Sequence, residues 1–148
     1  GAVTAMPGYP LKLNAGMASY SGKAIKKTIR WMEEFGDWHY TETISHWMTG
    51  GDKASWNFQV TRPGTYKVEM IYSQPLDKGK QEGNITIDNT ELYFELMNTG
   101  NEAYHFKNQE IGIVSFAVPG IKTLTFAPYD ARNGKEFINL KQIILKPF

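Results

Sequence analysis

Two tryptophans occupy the stretch of the sequence whose side chains are best suited to recognise a ligand. Trp31 and Trp38 lie in a segment that is rich in charge and poor in periodicity. An indole ring offers a broad apolar surface and one N–H donor, so its chemistry is stacking and hydrogen bonding. A large ring in an irregular loop is a better recognition candidate than one inside a strand. We therefore predict ligand contact for Trp31 and Trp38, with packing under the loop as the alternative.

A second group of candidate side chains lies near the C-terminus, where the sequence "YDARNGK" is polar. This loop carries an aromatic ring, an acid, a base and an amide, namely Tyr129, Asp130, Arg132 and Asn133. Asn133 followed by glycine is also a strong turn signal, so Asn133 has a structural alternative. Tyr104 and His105, in an earlier loop, are weaker candidates. We predict ligand contact for the four residues of the late loop.

Acidic and histidine side chains cluster in "EEFGDWHYTETISHW", which contains Glu33, Glu34, Asp37, His39, Glu42 and His46. A zinc site on a helix needs a close histidine pair such as i, i+4, whereas His39 and His46 are seven residues apart. Two carboxylates could hydrolyse a glycoside, but any pair of acids meets that condition without spatial evidence. The sequence also lacks a G-x-S-x-G motif, a phosphate-binding loop and a G-x-G-x-x-G motif. We interpret the cluster as a solvated face and expect no catalysis and no metal site.

The clearest structural signal is the alternation in "ASWNFQVTRPGTYKVEMIYS", residues 54–73. Alternate positions are apolar on both sides of Pro63-Gly64, and successive side chains of a strand point to opposite faces. The pattern predicts a β-hairpin with one buried face, formed by Trp56, Phe58, Val60, Tyr66, Val68, Met70 and Tyr72. Trp56 is therefore expected in the core.

The remaining elements are also mostly strands. Residues 1–10 read as a tail, residues 11–22 as a first strand, and residues 23–38 as a short helix or an extended crossover, because Ile25, Ile29 and Met32 recur at helical spacing. Residues 74–83 read as an exposed loop, and Asp88-Asn89 as the turn of a second hairpin. A further strand pair is predicted about Pro119-Gly120, before a final strand. Many short strands between frequent turn signals predict one antiparallel β-sandwich over residues 11–148, with at most one short helix.

Composition excludes several classes of function. The chain has 148 residues, a net charge of +1 and no cysteine. The small net charge gives no footprint for nucleic acid or an anionic membrane, and Lys23, Lys26, Lys27 and Arg30 form only a local basic cluster. No apolar run approaches the roughly 18–20 residues that a membrane span needs. The absence of cysteine excludes disulfides, thiolate zinc sites and a cysteine nucleophile.

The order of these features resembles the galactose-binding-like jelly-roll domains of carbohydrate-binding module families 6 and 35. The resemblance is carried by "ISHWMTGGDKASWNFQVTRPGTYKVEMIYS", "IGIVSFAVPGIKTLTF" and "EFINLKQIILKP", and it covers about residues 11–147. Within these families, the sequence most resembles the C-terminal accessory domain of bacterial α-L-fucosidase-like glycoside hydrolases. Trp47 matches an aromatic residue that precedes the hairpin in this family, and we add it to the predicted ligand contacts with core packing as its alternative.

The resemblance implies a non-catalytic domain that docks oligosaccharides or polysaccharides by stacking and hydrogen bonding from edge loops, including an asparagine in the late loop. It implies a tethered catalytic domain as partner and an exported location, although the stretch "GAVTAMPGYP" itself has no basic region followed by an apolar one, as a signal peptide would. Related modules often hold a structural Ca²⁺ with acidic ligands. Because Lys141 stands where a late aspartate is usual and the first strand reads "LKLN", we predict no such ion and no cofactor.

Two alternatives remain open at the level of the sequence. The domain could be a structural module that packs on a catalytic neighbour and binds no sugar, in which case its tryptophans would be buried or form a flat apolar patch. Less favoured is a small carbohydrate-active enzyme, which needs two facing carboxylates about 5–10 Å apart in a cleft. The sequence names neither the sugar, nor the parent enzyme, nor the oligomeric state.

Overall fold

Two six-stranded β-sheets make up most of the computed structural model, which describes residues 3–6, 8–49, 51–75, 79–130 and 137–148. The first sheet contains β1 (Val3–Ala5), β3 (Ser19–Ser21), β6 (Lys53–Val60), β8 (Gln81–Ile87), β9 (Thr90–Leu96) and β11 (Gly120–Asp130). The second contains β2 (Leu11–Asn14), β4 (Ile25–Glu34), β5 (Asp37–Ser45), β7 (Gly64–Ser73), β10 (Lys107–Phe116) and β12 (Asn139–Pro147). The predicted β-sandwich is confirmed.

The strand order is β1-β6-β11-β8-β9 in the first sheet, with β3 beside β6, and β10-β7-β12-β5-β4 in the second, with β2 beside β12. The ladders that join these strands are antiparallel except the one between β1 and β6. The helical content of the described residues is one 3₁₀ turn, Ala15–Met17. None of the helical structure described is long and apolar enough to cross a membrane.

The two Pro-Gly turns connect the sheets to each other, which corrects the predicted hairpins. β6 belongs to the first sheet and β7 to the second, and the same change of sheet separates β10 from β11. The alternating residues of β6 and β7 are nevertheless all buried, because they face each other across the interior. The turn at Asp88-Asn89, by contrast, is a true hairpin in which Ile87 pairs with Thr90.

The core lies between the sheets and is rich in aromatic rings. Phe58 of β6 meets Phe116 of β10 at a ring-centroid distance of 5.8 Å, and Trp47 meets Phe126 of β11 edge-on at 5.0 Å. Phe58, Trp47 and Phe126 are fully buried. Edge-to-face contacts of this kind stabilise a core beyond the area that they bury.

Several predicted boundaries are wrong. Residues 25–34 form a strand, not a helix or crossover, and they pair with β5 along their whole length. The predicted loop 74–83 contains the start of β8 at Gln81, and the side chains of Gln74 and Gln81 are buried. Val3–Ala5, within the predicted tail, pairs with β6.

Two buried polar side chains brace the loops around the sandwich. The carboxylate of Asp52 accepts hydrogen bonds from the backbone N–H groups of Lys23 at 2.7 Å, Met48 at 2.6 Å and Thr49 at 2.9 Å. Burial acts to raise the pKa of Asp52, but these donors hold that pKa below its usual value.

The second buried polar side chain is that of Tyr72 in β7, whose hydroxyl donates to Oε1 of Gln109 at 2.5 Å and accepts from the N–H of Met97 at 2.8 Å. Burial raises the pKa of Tyr72 to about 12, although the N–H of Met97 acts in the opposite direction. The neutral hydroxyl therefore joins the start of the loop after β9 to β7.

A fork in the second sheet determines the shape of one edge of the molecule. β12 pairs with β5 only through Leu140 and Ile44, and from Gln142 onwards the same side of β12 pairs with β2 instead. The hairpin made by β4 and β5 therefore separates from the sheet beyond its base. This fork positions the site described next.

Candidate functional site

The β4–β5 hairpin is a two-stranded ribbon that turns at Phe35-Gly36. Gly36 has a φ of 81°, a left-handed conformation that favours glycine, and Glu34 pairs with Asp37 across the turn. At the base of the hairpin, Ile44 points into the core and Thr43 is buried on the opposite side. Towards the tip, neither sheet of the sandwich pairs with the two strands in the described part of the chain.

An exposed apolar surface covers one side of this ribbon. Strand alternation places Trp38 and Tyr40 on the side that carries Ile44 at the base, and the register puts Met32 opposite Trp38 and Arg30 opposite Tyr40. Trp38 is 65% exposed and Tyr40 is 74% exposed. We call Arg30, Met32, Trp38 and Tyr40 the aromatic face. Its exposed rings can stack against a ligand, and Arg30 offers one guanidinium for hydrogen bonds.

An open groove adjoins the aromatic face at the fork of the sheet. It has a volume of about 540 Å³ and lies between the 3₁₀ turn Ala15–Met17 and β5. Its walls include Tyr40, Glu42, Asn14 and Lys141. Glu42 forms an ion pair with Lys26 at 3.3 Å, and both side chains are about half exposed. The groove therefore adds polar donors and acceptors beside the ring of Tyr40.

The other side of the hairpin carries a more enclosed group of rings, to which Trp31 belongs. The Trp31 ring stacks on Tyr104 at a centroid distance of 5.5 Å and lies nearly parallel to His39 at 5.6 Å. Its N–H donates to Glu33 at 3.2 Å. Trp31 is thus partly buried and already has partners within the chain, which leaves less of it for a ligand than the sequence predicted.

Three potential metal ligands meet near the hairpin tip. Glu33, Asp37 and His39 bring one ligand atom each within 4.8 Å of one another. Nε2 of His39 lies 3.1 Å from Asp37 and 3.4 Å from Glu33, so the three groups satisfy each other. The carboxyl side chains of Glu33 and Asp37 are 59% and 57% exposed.

Trp47 occupies the core, which corrects its place among the predicted ligand contacts. It is fully buried, and its N–H donates to the carbonyl of Ile44 at 2.9 Å. Trp56 is also buried, as predicted, and donates to the carbonyl of Asn14 at 2.8 Å. These two indoles hold the sandwich together and present no ring face to solvent.

The late-loop candidates are separate from the hairpin. Tyr129 is 62% exposed and meets the exposed ring of Tyr93 edge-on at 4.9 Å, at the solvent side of the first sheet. Hydrogen bonding to Glu91 raises the pKa of Tyr93. No ring contact among the described residues joins this pair to the aromatic face. Asp130 ends β11, and its side chain, like Arg132 and Asn133, lies outside the described residues.

Three residues of the aromatic face are not predicted as site residues from the sequence, namely Tyr40, Met32 and Arg30. The available signal was that Trp38 and Tyr40 alternate, which places them on the same side of a strand. This alternation is obscured in the sequence because residues 23–38, which include the start of β5, also fit a helical period.

Comparison with known proteins gives the fold a context. The sequence matches no protein-family profile, and no curated protein matches it. Among solved structures, the chain is similar to the mosquito-larvicidal Cry4Aa toxin from Bacillus thuringiensis, with a TM-score of 0.76 and 18% identity over 99% of this chain and 25% of the toxin chain.

It is also similar to a family 35 carbohydrate-binding module from Clostridium thermocellum, with a TM-score of 0.72 and 14% identity over 93% of this chain and 97% of the module. A third similar structure is the C-terminal CBM6 of the laminarinase LamC from Zobellia galactanivorans, with a TM-score of 0.69 and 15% identity over 93% of this chain and 99% of the module. The chain thus spans a quarter of the toxin and nearly the whole of each module. At these identities the similarity establishes a shared β-sandwich fold.

Proposed function

We propose that this chain is a non-catalytic carbohydrate-binding accessory domain and that the aromatic face is its binding surface. The observation that carries the proposal is the exposed pair Trp38 and Tyr40, adjacent on one side of β5. The C–H face of a pyranose is apolar and packs against such rings, while its hydroxyl groups need polar partners. Arg30 and the Glu42–Lys26 pair supply those partners from the same side of the hairpin.

The spacing of the two rings favours an oligosaccharide over a single sugar. Two residues of a strand span about 7 Å, so Trp38 and Tyr40 present two successive stacking surfaces along β5. A ligand with several sugar units can cover both rings and extend into the groove beside Glu42. Since the surface is open and shallow, each site binds weakly, and tethering to an enzyme on the same polymer would supply avidity.

The proposed setting is an exported bacterial glycoside hydrolase with this domain as an appendage. Two of the similar structures are carbohydrate-binding modules that this chain matches over almost their full length. A similar fold also occurs in the GH26-CBM35 mannanase of Podospora anserina, with a TM-score of 0.65 and 17% identity over 94% of this chain and 28% of the mannanase chain. An α-L-fucosidase-like parent is proposed from the sequence motifs alone, and Tyr129, Asp130, Arg132 and Asn133 stay proposed as a second contact region.

A structural module that packs on a neighbouring domain is the second candidate. Met32, at 45% exposure, extends the apolar surface of Trp38, and Phe35 at the hairpin tip is fully exposed. An exposed apolar patch of this kind can also be buried in an interdomain contact. The polar partners around Tyr40 favour the sugar over this alternative.

A panel of plant, host and bacterial polysaccharides in affinity gel electrophoresis separates the two candidates. We expect retardation by at least one polysaccharide, with a change in tryptophan fluorescence, and loss of both in a Trp38→Ala/Tyr40→Ala variant. Tyr20→Ala is the matched control, because Tyr20 is 44% exposed on β3 of the other sheet. A folded wild-type domain that no polysaccharide retards would support the structural module instead.

A further inference from the structure

β4 is the edge strand of the second sheet, and its free side is long. In the described part of the chain β4 pairs with β5 alone, over the ten residues Ile25–Glu34. An unpaired edge presents backbone N–H and C=O groups that can accept another strand. The hairpin adds to this availability, because it separates from the sandwich beyond its base.

Charge is distributed unevenly along β4. The strand reads "IKKTIRWMEE", with Lys26 and Lys27 at its start and Glu33 and Glu34 at its end. Lys26 and Glu33 have partners on β5 or near the turn, whereas the side chains of Lys27 and Glu34 form no ion pair within the described residues. The two ends of the edge therefore carry opposite charge.

Symmetry limits how two such edges can meet. A two-fold axis perpendicular to the sheet joins two copies of β4 antiparallel and keeps each side chain on its own side of the sheet. Two residues that face each other across the contact must then both be even-numbered or both be odd-numbered. The axis therefore lies level with one residue, which faces its own copy. With the axis at Arg30, Lys27 faces Glu33 of the second copy, on the side of the sheet that carries Trp31 and His39. Beyond the irregularity between Met32 and Glu34, Glu34 pairs with Asp37, so its side chain lies on that side too and away from Lys26. With the axis one residue to either side, neither lysine faces a glutamate.

We propose that this chain self-associates through β4 into a symmetric antiparallel dimer with the axis at Arg30. Ile29 of each copy then faces Trp31 of the other copy. Cross-strand pairs of an aromatic and a β-branched residue stabilise neighbouring strands. The register of β4 is irregular between Met32 and Glu34, so the backbone ladder is limited to about Thr28–Met32, flanked by an ion pair on either side. Arg30 facing itself opposes the contact.

The dimer does not depend on carbohydrate binding. It would, however, bring the aromatic faces of both copies onto the same side of one continuous sheet, because the axis is perpendicular to that sheet. The short ladder and exposed ion pairs predict a weak, concentration-dependent association that salt weakens further.

Charge reversal with sedimentation equilibrium tests the proposal. Wild-type protein should dimerise as its concentration rises from the micromolar to the millimolar range. Two charge-reversal variants should each self-associate at least tenfold more weakly than the wild type: Lys26→Glu/Lys27→Glu and Glu33→Lys/Glu34→Lys. An equimolar mixture of the two variants should recover the wild-type association as a heterodimer, which shows that both variants are folded.

Lys12→Glu/Lys53→Glu is the control, because both lysines are exposed and lie outside β4. It should associate like the wild type. A wild type that stays monomeric at the highest concentration would overturn the proposal. So would a dimer that charge reversal leaves unchanged, or a variant mixture that fails to associate.

Discussion

Removal of the Trp38 ring is the perturbation with the most direct consequence for the proposed site. Trp38 is 65% exposed, which corresponds to about 130 Å² if a full ring system buries about 200 Å². A sugar that covers one face of the ring removes about 65 Å² from water, or about 1.6 kcal/mol at 25 cal/mol per Å². Trp38→Ala should therefore raise the Kd for an oligosaccharide about tenfold or more.

Isothermal titration calorimetry measures this change with an oligosaccharide derived from the polysaccharide that retards the protein most. Urea unfolding checks the fold. Because Trp38 is 65% exposed and is not among the buried residues of the core, the free energy of unfolding should change by no more than about 0.5 kcal/mol. Tyr20→Ala, on β3, should leave both quantities at their wild-type values. An unchanged Kd in Trp38→Ala, with the ligand still bound, would refute the stacking argument and direct attention to Tyr129.

Three further predictions concern stability. Trp47→Ala should lower the free energy of unfolding by about 3–5 kcal/mol in urea titrations, since it leaves a cavity in the core; a loss below 1 kcal/mol would contradict its assignment to the core. Asp52 has a lowered pKa in the folded state, so its contribution is present above about pH 4 and lost as pH falls. Urea titrations from pH 6 to pH 2 should show this loss in the wild type and a smaller one in Asp52→Asn; equal slopes would count against the hydrogen-bonded carboxylate. Tyr72 has a pKa raised to about 12, so its contribution is present below about pH 10 and lost as pH rises towards 12. Tyr72→Phe should abolish this alkaline loss, and a variant as sensitive as the wild type would exclude Tyr72 as its source.

The buried residues of β6 and β7 could be predicted from the sequence, whereas their pairing could not. Alternation at Trp56 and Phe58, and again at Tyr66 and Val68, specifies which side of each strand is apolar. It does not specify whether two apolar sides belong to one sheet or face each other across a sandwich. A Pro-Gly turn serves both arrangements, so the partner of β6 is set by contacts with β11, far along the sequence.

β4 could not be recognised because little of it is buried. A strand is detectable when one side is apolar and the other polar, but Ile29 is the one buried side chain of β4. With Ile25 and Met32 it happens to match a helical period. The exposed rings of Trp38 and Tyr40 follow from the same property, since a ribbon that leaves the sandwich buries little on either side.

The candidate site was accordingly predicted only in part. Trp38 was identified because it lies outside any buried period, and the structure shows it exposed. The prediction of ligand contact for Trp47 rests on a family resemblance, and a resemblance in spacing does not show which way a side chain points. Tyr104 reaches Trp31 from a loop some seventy residues away, a contact that no local pattern indicates.

The indole N–H resonances give the most direct test of the proposed binding face. The chain has four tryptophans, so a ¹⁵N-labelled sample should show four such signals, assignable by substitution. The sample is titrated with an oligosaccharide derived from the polysaccharide that retards the protein most. The Trp38 signal should move in proportion to the occupancy of the site, while the signals of the buried Trp47 and Trp56 stay in place. Binding that leaves the Trp38 signal unmoved would contradict the account.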